Sequence, residues 1–421
     1  MPEPVSFQAP KGTFDVLAPA STRYEQLIAT FAAVVERAGY GLLISPMFED
    51  VAVFHRVGEA TDVVRKEMYD FHDKGDPPRH LALRPEGTAS VVRAWVEHRP
   101  TLPFKAWYAA PSFRYEAPQA GRYRQHHQLG VEALGTEDPD LDVEVIGLLD
   151  GFYRAIGLTG VALRINSLGD AVCRPGYRAL LAAYLAERAD QLCDEHRERY
   201  RDNPLRVLDC KRPACLAATA GAPFQADHLC EACAAHFRRV RDGLATVGVA
   251  YRLDPRLVRG LDYYTRTTFE FAATALASAQ NAVGGGGRYD GLAEALGGPP
   301  TPGIGFGCGI ERVLLACEAE GVELAGSPGV AVFVVDTTGG TAALELTVAL
   351  RAAGVSADRA WDGRSFKAQF KAADRSGARV ALVVGDDELA RGVVAVKPLR
   401  GGGPQTEVAR SAVIEHVRTI L

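Results

Sequence analysis

The apolar positions of this chain change period several times, and each change marks an element. Thr22-x-x-Glu25 forms a capping box and apolar spacing follows through Val35, which predicts a first helix. Strand character at 42–44 stops at Ser45-Pro46. Over 89–96, Val91, Val92 and Trp95 recur on one helical face. Two strand-like runs, 105–110 and 127–134, flank a loop rich in Pro, Gln, Gly and Arg, which predicts an antiparallel hairpin. Helical spacing returns over 141–156, and 161–165 reads as a strand.

Residues 170–250 differ in character. They are rich in Ala, Arg and Glu, and we expect a mainly helical insertion within a catalytic domain spanning 1–325. Strand patterns resume at 251–253 and 267–272. The glycines at 284–287 read as a turn, and 303–315 as a Gly-broken strand running into a helix. Pro and Gly around 326–329 mark a boundary. Beyond it, 329–421 shows strand 330–335, helices 342–353 and 366–373, strands 380–384 and 393–396, and helix 412–421, the pattern of a small α/β domain.

Composition narrows the class. At 421 residues the chain exceeds one ordinary core, and 47% hydrophobic with 24% charged residues suits a soluble globular protein. No apolar run could span a bilayer, and Met1-Pro2-Glu3-Pro4 lacks the features of a signal peptide, so we expect a cytoplasmic protein with no membrane partner. The net charge of -5 advertises no nucleic acid. Residues 329–421 hold 12 Lys+Arg against 10 Asp+Glu, a surplus too small to argue RNA binding by itself. Of eight cysteines, Cys173, Cys193, Cys308 and Cys317 look scattered. The others follow Cys210-x4-Cys215-x14-Cys230-x2-Cys233, which in a reducing compartment reads as one structural Zn²⁺ site, with His228 and His236 as substitutes, or as four thiols packing the insertion.

The chemistry concentrates in a few segments. Residues 257–264 read Leu-Val-Arg-Gly-Leu-Asp-Tyr-Tyr. Arg259 offers a planar fork for a carboxylate or phosphate, Gly260 permits close backbone approach, and the tyrosines can pack a ring while keeping a hydrogen bond. Alone, the segment could equally be a strand end with an exposed Arg. Three further segments stand beside it, 83–88, 113–132 with Arg114 and Arg122, and 305–312 with Arg312, and four such arginines suit a highly anionic ligand such as a nucleoside triphosphate. Yet the chain has neither a G-x-x-x-x-G-K-[ST] loop nor a strand-coupled G-x-G-x-x-G fingerprint. Arginine side chains, rather than a glycine cradle, would hold the phosphates.

These residues together resemble the class II aminoacyl-tRNA synthetases, and within them the histidyl-tRNA synthetases. Phe113-Arg114-x-Glu116 is similar to motif 2, Gly307-x-Gly309-x-Glu311-Arg312 to motif 3, and Pro46 to the motif 1 proline at the dimer interface. The histidine-specific pair is 257–264 with Gly286-Gly287-Arg288-Tyr289-Asp290-Gly291. The resemblance covers essentially the whole chain. It implies an α+β catalytic domain on a mainly antiparallel sheet flanked by helices, with a helical insertion, followed by an anticodon-binding α/β domain at 329–421.

It also implies roles. Glu86, Thr88 and Gln128 would hold the α-amino group of L-histidine, while Glu132 and Tyr264 would grip its imidazole, with Tyr263 and Tyr289 lining the pocket. Arg114 would bind the α-phosphate of ATP, Glu116 the adenine amino group and Arg312 the γ-phosphate, with Arg122 nearby. Arg259 would bridge the α-phosphate and the substrate carboxylate, so Arg259 and Arg114 are the expected catalytic residues. Mg²⁺ would accompany ATP, tRNA(His) would be the acceptor, and the protein would be a homodimer. Arg364, Lys367 and Lys371 are candidate RNA contacts. One departure stands out: His126 occupies a position that the family usually fills with a Phe stacked on adenine. His127 reads as structural.

Overall fold

A computed structural model describes residues 7–58, 61, 63–258, 263–277, 281–324 and 329–421. The chain divides into two compact units, Met1–Leu324 and Ala325–Leu421.

In the first unit, α1 (Ala20–Glu36) buries Leu27, Phe31 and Val35. The expected capping box does not form: the helix begins before it, with Pro19 at the N-cap and no side-chain cap. Next come β1 (Gly41–Leu42), β2 (Phe48–Asp50), α2 (Val51–Gly58), β3 (Tyr69–His72), β4 (His80–Leu83) and α3 (Thr88–His98). The predicted hairpin is present as β5 (Phe104–Phe113) and β6 (Gln125–Leu134), paired antiparallel along their whole length. After α4 (Pro139–Ala155) and β7 (Val161–Ser167) the chain enters the predicted helical region, α5 (Arg174–Ala186), α6 (Asp194–Arg199), α7 (Leu205–Asp209), α8 (Pro213–Ala218) and α9 (Glu231–Thr246). It returns through β8 (Tyr251–Leu253), β9 (Thr265–Ala273), β10 (Ala282–Arg288), α10 (Leu292–Ala295), β11 (Gly303–Gly309) and α11 (Ile310–Glu320).

Among the described residues, eight strands form one sheet in the order β1-β5-β6-β11-β10-β9-β7-β8. The β1–β5 and β7–β8 pairs are parallel and the other five antiparallel. Side chains alternate faces along each strand, so register fixes what meets what. One face carries Trp107, Val131 and Phe306 into the core with Phe31 of α1 and Phe152 of α4. Phe31 meets Phe152 edge-on with ring centroids 5.3 Å apart. The opposite face aligns Tyr108 with Gly130, Gly130 with Gly307, Glu132 with Gly305, and Gly285 with Glu270. That face is mostly glycine, which leaves room above it.

The glycines at 284–287 are therefore strand, not the turn expected from sequence. A Cβ on Gly286 would run into the carbonyl oxygen of Gly305, and one on Gly287 would lie 2.6 Å from that of Thr267. Neighbouring backbones approach too closely for side chains.

The second unit is built from β12 (Val332–Asp336), α12 (Thr341–Ala352), β13 (Ala357–Arg359), α13 (Phe366–Arg375), β14 (Val380–Val384), α14 (Asp386–Arg391), β15 (Val393–Pro398), β16 (Thr406–Ala409) and α15 (Val413–Ile420). Its sheet runs β13-β12-β14-β15-β16, parallel across the first three and antiparallel at the other edge. The edge strands β13 and β16 carry little apolar alternation and are absent from the sequence reading. So is the small β2-β4-β3 sheet of the first unit.

Candidate functional site

The site is built on the glycine-rich face. Glu132 of β6 is fully buried at its floor. Thr88, the first residue of α3, donates its hydroxyl to Glu132 Oε1 over 2.6 Å, and Tyr289 donates its phenol to Oε2 over 2.6 Å. Tyr108 adds a third hydroxyl. Burial outweighs these donors and pushes the Glu132 carboxyl up to about 8. Gly305 is needed beside it, because a Cβ there would collide with Glu132 Oε2. The rings of Tyr263 and Tyr264 stand 4.7 Å apart, and Tyr263 meets Tyr289 at 6.0 Å.

Glu86 is engaged by the backbone at the start of α3. Its carboxylate receives the backbone N–H groups of Thr88 at 2.6 Å and Ala89 at 2.9 Å, so it caps α3. Burial raises its pKa against those bonds. Gln128, next on the open face of β6, keeps its Oε1 buried with no hydrogen-bond partner among the described residues. An orphaned acceptor is costly unless a donor arrives, and an ammonium is such a donor.

Beyond Gln128 the same face opens into a cleft of about 290 Å³. Arg114, Arg122 and Arg312 line it with Glu116, His126 and Glu270. Backbone carbonyls aim the guanidinium groups: Pro85 accepts from Arg114 Nε at 2.9 Å, and Ala282 from Arg312 Nη1 at 2.7 Å. Glu116 accepts from Arg122 at 3.3 Å. Burial first, and then neighbouring Arg122, pull the Arg312 pKa down, so this cation is both desolvated and beside like charge. A polyanion would relieve that crowding. Burial and then Arg114 push the His126 imidazole down to about 3, so it presents a neutral ring to the cleft. Glu270 of β9 was missed in the sequence; only strand pairing opposite Gly285 brings it here. Tyr108 was missed for the same reason.

Several singled-out residues lie elsewhere. Arg259, Gly260, Leu261 and Asp262 are outside the described residues. Arg288 points away from the pocket and is fully buried: its Nε donates to Asp142 Oδ1 at 2.7 Å, and Asp142 Oδ2 bonds His236 Nε2 at 2.8 Å. His127 is held by Glu311 through both its backbone N–H and its ring, at 2.9 and 2.8 Å, as a structural residue would be. The single four-cysteine cluster does not form. Cys210 and Cys215 flank the α7–α8 junction beside Cys193 and His196, whereas Cys230 and Cys233 open α9 beside Asp170 and Cys173. The folding of the insertion separates the two pairs. His236 is already bonded to Asp142, and His228 stacks on Tyr177.

Two halves thus share one sheet face, a buried carboxylate pocket and an arginine-lined cleft. A family model described as "Histidyl-tRNA synthetase" matches residues 12–313, and one described as "Anticodon binding domain" matches 329–420. The chain is 52% identical over 407 residues to a histidine–tRNA ligase of Rhodococcus erythropolis, covering 95% of each, and 51% identical over 424 residues to that of Mycolicibacterium vanbaalenii, covering 99% of each. The crystal structure of apo histidyl-tRNA synthetase from S. aureus superposes with a TM-score of 0.83 at 36% identity, over 98% of this chain and 100% of that one. On fold and sequence, the chain belongs to the histidyl-tRNA synthetase family.

Proposed function

We propose that the protein attaches L-histidine to tRNA(His) in two steps. Histidine and ATP form histidyl-adenylate and pyrophosphate; the terminal ribose hydroxyl of the tRNA then takes the histidyl group and AMP leaves. The observation that carries this reading is Glu132, buried and braced by Thr88 and Tyr289, on the same sheet face as the arginine cleft.

A neutral imidazole offers one donor and one acceptor nitrogen, so a carboxylate and a phenol match it. Glu132 and Tyr264 take these roles, with Tyr263, Tyr289 and Tyr108 closing the pocket. Gln128 Oε1 accepts from the α-ammonium, and Glu86 and Thr88 lie beside it. The substrate carboxylate is already ionised and is itself the nucleophile. The first step therefore needs placement and charge stabilisation at the α-phosphate rather than a general base. Arg114 and Arg259 supply these. Glu116 and the neutral His126 ring receive the adenine, and Arg122 and Arg312 the outer phosphates.

Mg²⁺ is held in such sites through one or two carboxylates and the ligand's phosphates, and Glu270 is the carboxylate suited to it; the ion would neutralise phosphate charge. Zinc enters this reading only as a staple of the insertion.

We assign catalysis to 1–325, with 170–250 inserted, and anticodon binding to 329–421. In the latter, Trp361 and Phe366 are exposed beside Arg359 and Arg364, a platform for stacking unpaired bases, with Lys367 and Lys371 following on α13. A homodimer is part of the reading. Leu42, Ile44, Met47 and Phe48 are exposed around Pro46, an apolar patch suited to a second copy. Among the described residues no helix is long and apolar enough to cross a membrane, which agrees with a cytoplasmic enzyme.

Pyrophosphate exchange with each of the twenty amino acids, then tRNA charging, tests the whole. Histidine alone should support both. Arg259→Ala should lose roughly 10²–10³ in exchange, and near-normal exchange in that variant would remove Arg259 from the catalytic set.

A further inference from the structure

The insertion brings eight potential metal ligands into two separate groups. At its neck, Asp170 and Cys173 follow β7 and meet Cys230 and Cys233 at the start of α9. At its far part, Cys193 and His196 meet Cys210 and Cys215. Within each group the four ligand atoms lie within 4.8 Å of one another. Neck distances include 3.6 Å from Cys173 Sγ to Asp170 Oδ1 and 3.8 Å from Cys230 Sγ to the same oxygen. In the far group, His196 Nδ1 is 3.1 Å from Cys193 Sγ and 3.9 Å from Cys215 Sγ. Ligands around tetrahedral zinc, with Zn–S near 2.3 Å, stand about 3.8 Å apart.

We propose that the insertion binds two structural Zn²⁺ ions, one by Asp170, Cys173, Cys230 and Cys233, the other by Cys193, His196, Cys210 and Cys215. Three features argue for metal over disulfides. Each group contains a carboxylate or imidazole that a disulfide has no use for. Three of the four ligand pairs are spaced x2, the reach of a metal-binding hook. Backbone N–H groups also point at the sulfurs, Asp170 N to Cys173 Sγ and Cys193 N to Cys215 Sγ, each at 3.4 Å, as outer partners of bound thiolates do. Arg266 stands 3.8 Å from Asp170 and offsets negative charge at the neck.

The fold gives the ions a task. Helices α6, α7 and α8 have six, five and six residues, well short of the roughly 12–15 that an isolated helix needs, so they require staples. The insertion in turn holds both flanks of 257–264. Arg174, next to Cys173, donates to the Tyr264 carbonyl at 2.6 Å. Arg256 reaches Thr219 Oγ1 at 2.7 Å, and Val258 packs against the insertion core. Loss of the neck ion should therefore loosen histidine binding, a consequence that rests on the synthetase reading, whereas the ions themselves do not.

Elemental analysis of protein purified without chelator should find two zinc per chain. Cys233→Ser and Cys215→Ser should each hold one, and cobalt in place of zinc should give the intense visible bands of tetrahedral thiolate sites. None or one per chain in the wild type, or fewer than eight reactive thiols in denaturant with chelator and no reductant, overturns the two-site assignment. In Cys230→Ser the KM for histidine should rise several-fold with that for ATP unchanged; equal KM values for histidine overturn the link to 257–264 alone.

Discussion

Tyr289 gives its phenolic hydrogen to Glu132 Oε2 across 2.6 Å, joining residues 157 positions apart in the chain. A hydrogen bond to a charged group contributes about 1.5–3 kcal/mol. Without it, ionised Glu132 would be less well supported and less well aimed at an imidazole N–H. Tyr289→Phe should therefore raise the KM for histidine roughly 10- to 100-fold. The KM for ATP should hold, since the arginine cleft is untouched. Histidine-dependent pyrophosphate exchange, with each substrate varied in turn, separates the two.

The same carboxyl gives a pH signature. In the free protein Glu132 is held up at about 8, against 4.5 for an ordinary glutamate. Between those values the folded chain carries a proton that the unfolded chain lacks. Its contribution to stability is full below about 4.5 and is lost as pH rises through 8. Glu132→Gln should remove that slope from thermal melts. Catalysis should run the other way, because accepting an imidazole N–H favours the ionised form. kcat/KM for histidine should climb toward pH 8 in the wild type; in the Gln variant only the titration of substrate histidine, near 6.5, should remain.

How much of this was legible in the sequence depends on whether the signal was local. Helix α4 shows in its apolar period because it buries one face, and the β5–β6 hairpin shows as two strand-like runs around a polar loop. Glu132, Arg114 and Arg312 came from motif likeness; the fold places Glu132 on β6 and brings Arg114 and Arg312 together at the cleft beyond it. Tyr108 and Glu270 carry no local mark; cross-strand register with Gly130 and Gly285 places them. The glycines at 284–287 misled, since turn and close packing demand the same residue. The cysteines misled in another way. Their spacing was read along one dimension, whereas the insertion folds Cys173 and Cys193, which looked incidental, against one pair each.

Close packing makes those glycines testable. At Gly286 the nearest obstacle to a Cβ is backbone, the Gly305 carbonyl, which cannot rotate away. Overpacking of this kind costs about 1–3 kcal/mol, often more when backbone must shift. Gly286→Ala should lower the melting temperature and spoil both substrate sites through β10 and β11. Gly291→Ala is the matched control: nothing lies within 4 Å of its Cβ and its φ is negative, so its melt should match the wild type.

His126 invites a gain rather than a loss. Its ring, held neutral by burial and Arg114, faces the cleft that we assign to ATP. An imidazole stacks on adenine with less area than a phenyl ring. His126→Phe should lower the KM for ATP a few-fold and leave that for histidine unchanged, by pyrophosphate exchange. A rise in the ATP KM would mean that the imidazole contributes a hydrogen bond, not a surface.

Two ion pairs of nearly equal length separate burial from distance. Arg288 Nη2 and Asp142 Oδ1 are 2.6 Å apart, both with no exposed side-chain surface; Arg239 Nη2 and Asp140 Oδ2 are also 2.6 Å apart, both more than half exposed. The buried pair has no water to replace a lost partner, and Asp142 also anchors His236 of α9. Breaking it should cost about 3–5 kcal/mol. Asp142→Asn should lower the melting temperature by several degrees and weaken histidine binding, because Arg288 immediately precedes Tyr289 and fixes the end of β10. Arg239→Ala should leave both unchanged, since solvent screens that pair. Thermal melts of the two variants, read beside the histidine KM, would show whether the buried triad positions the pocket: a stable Asp142→Asn protein with normal KM would assign it no such role.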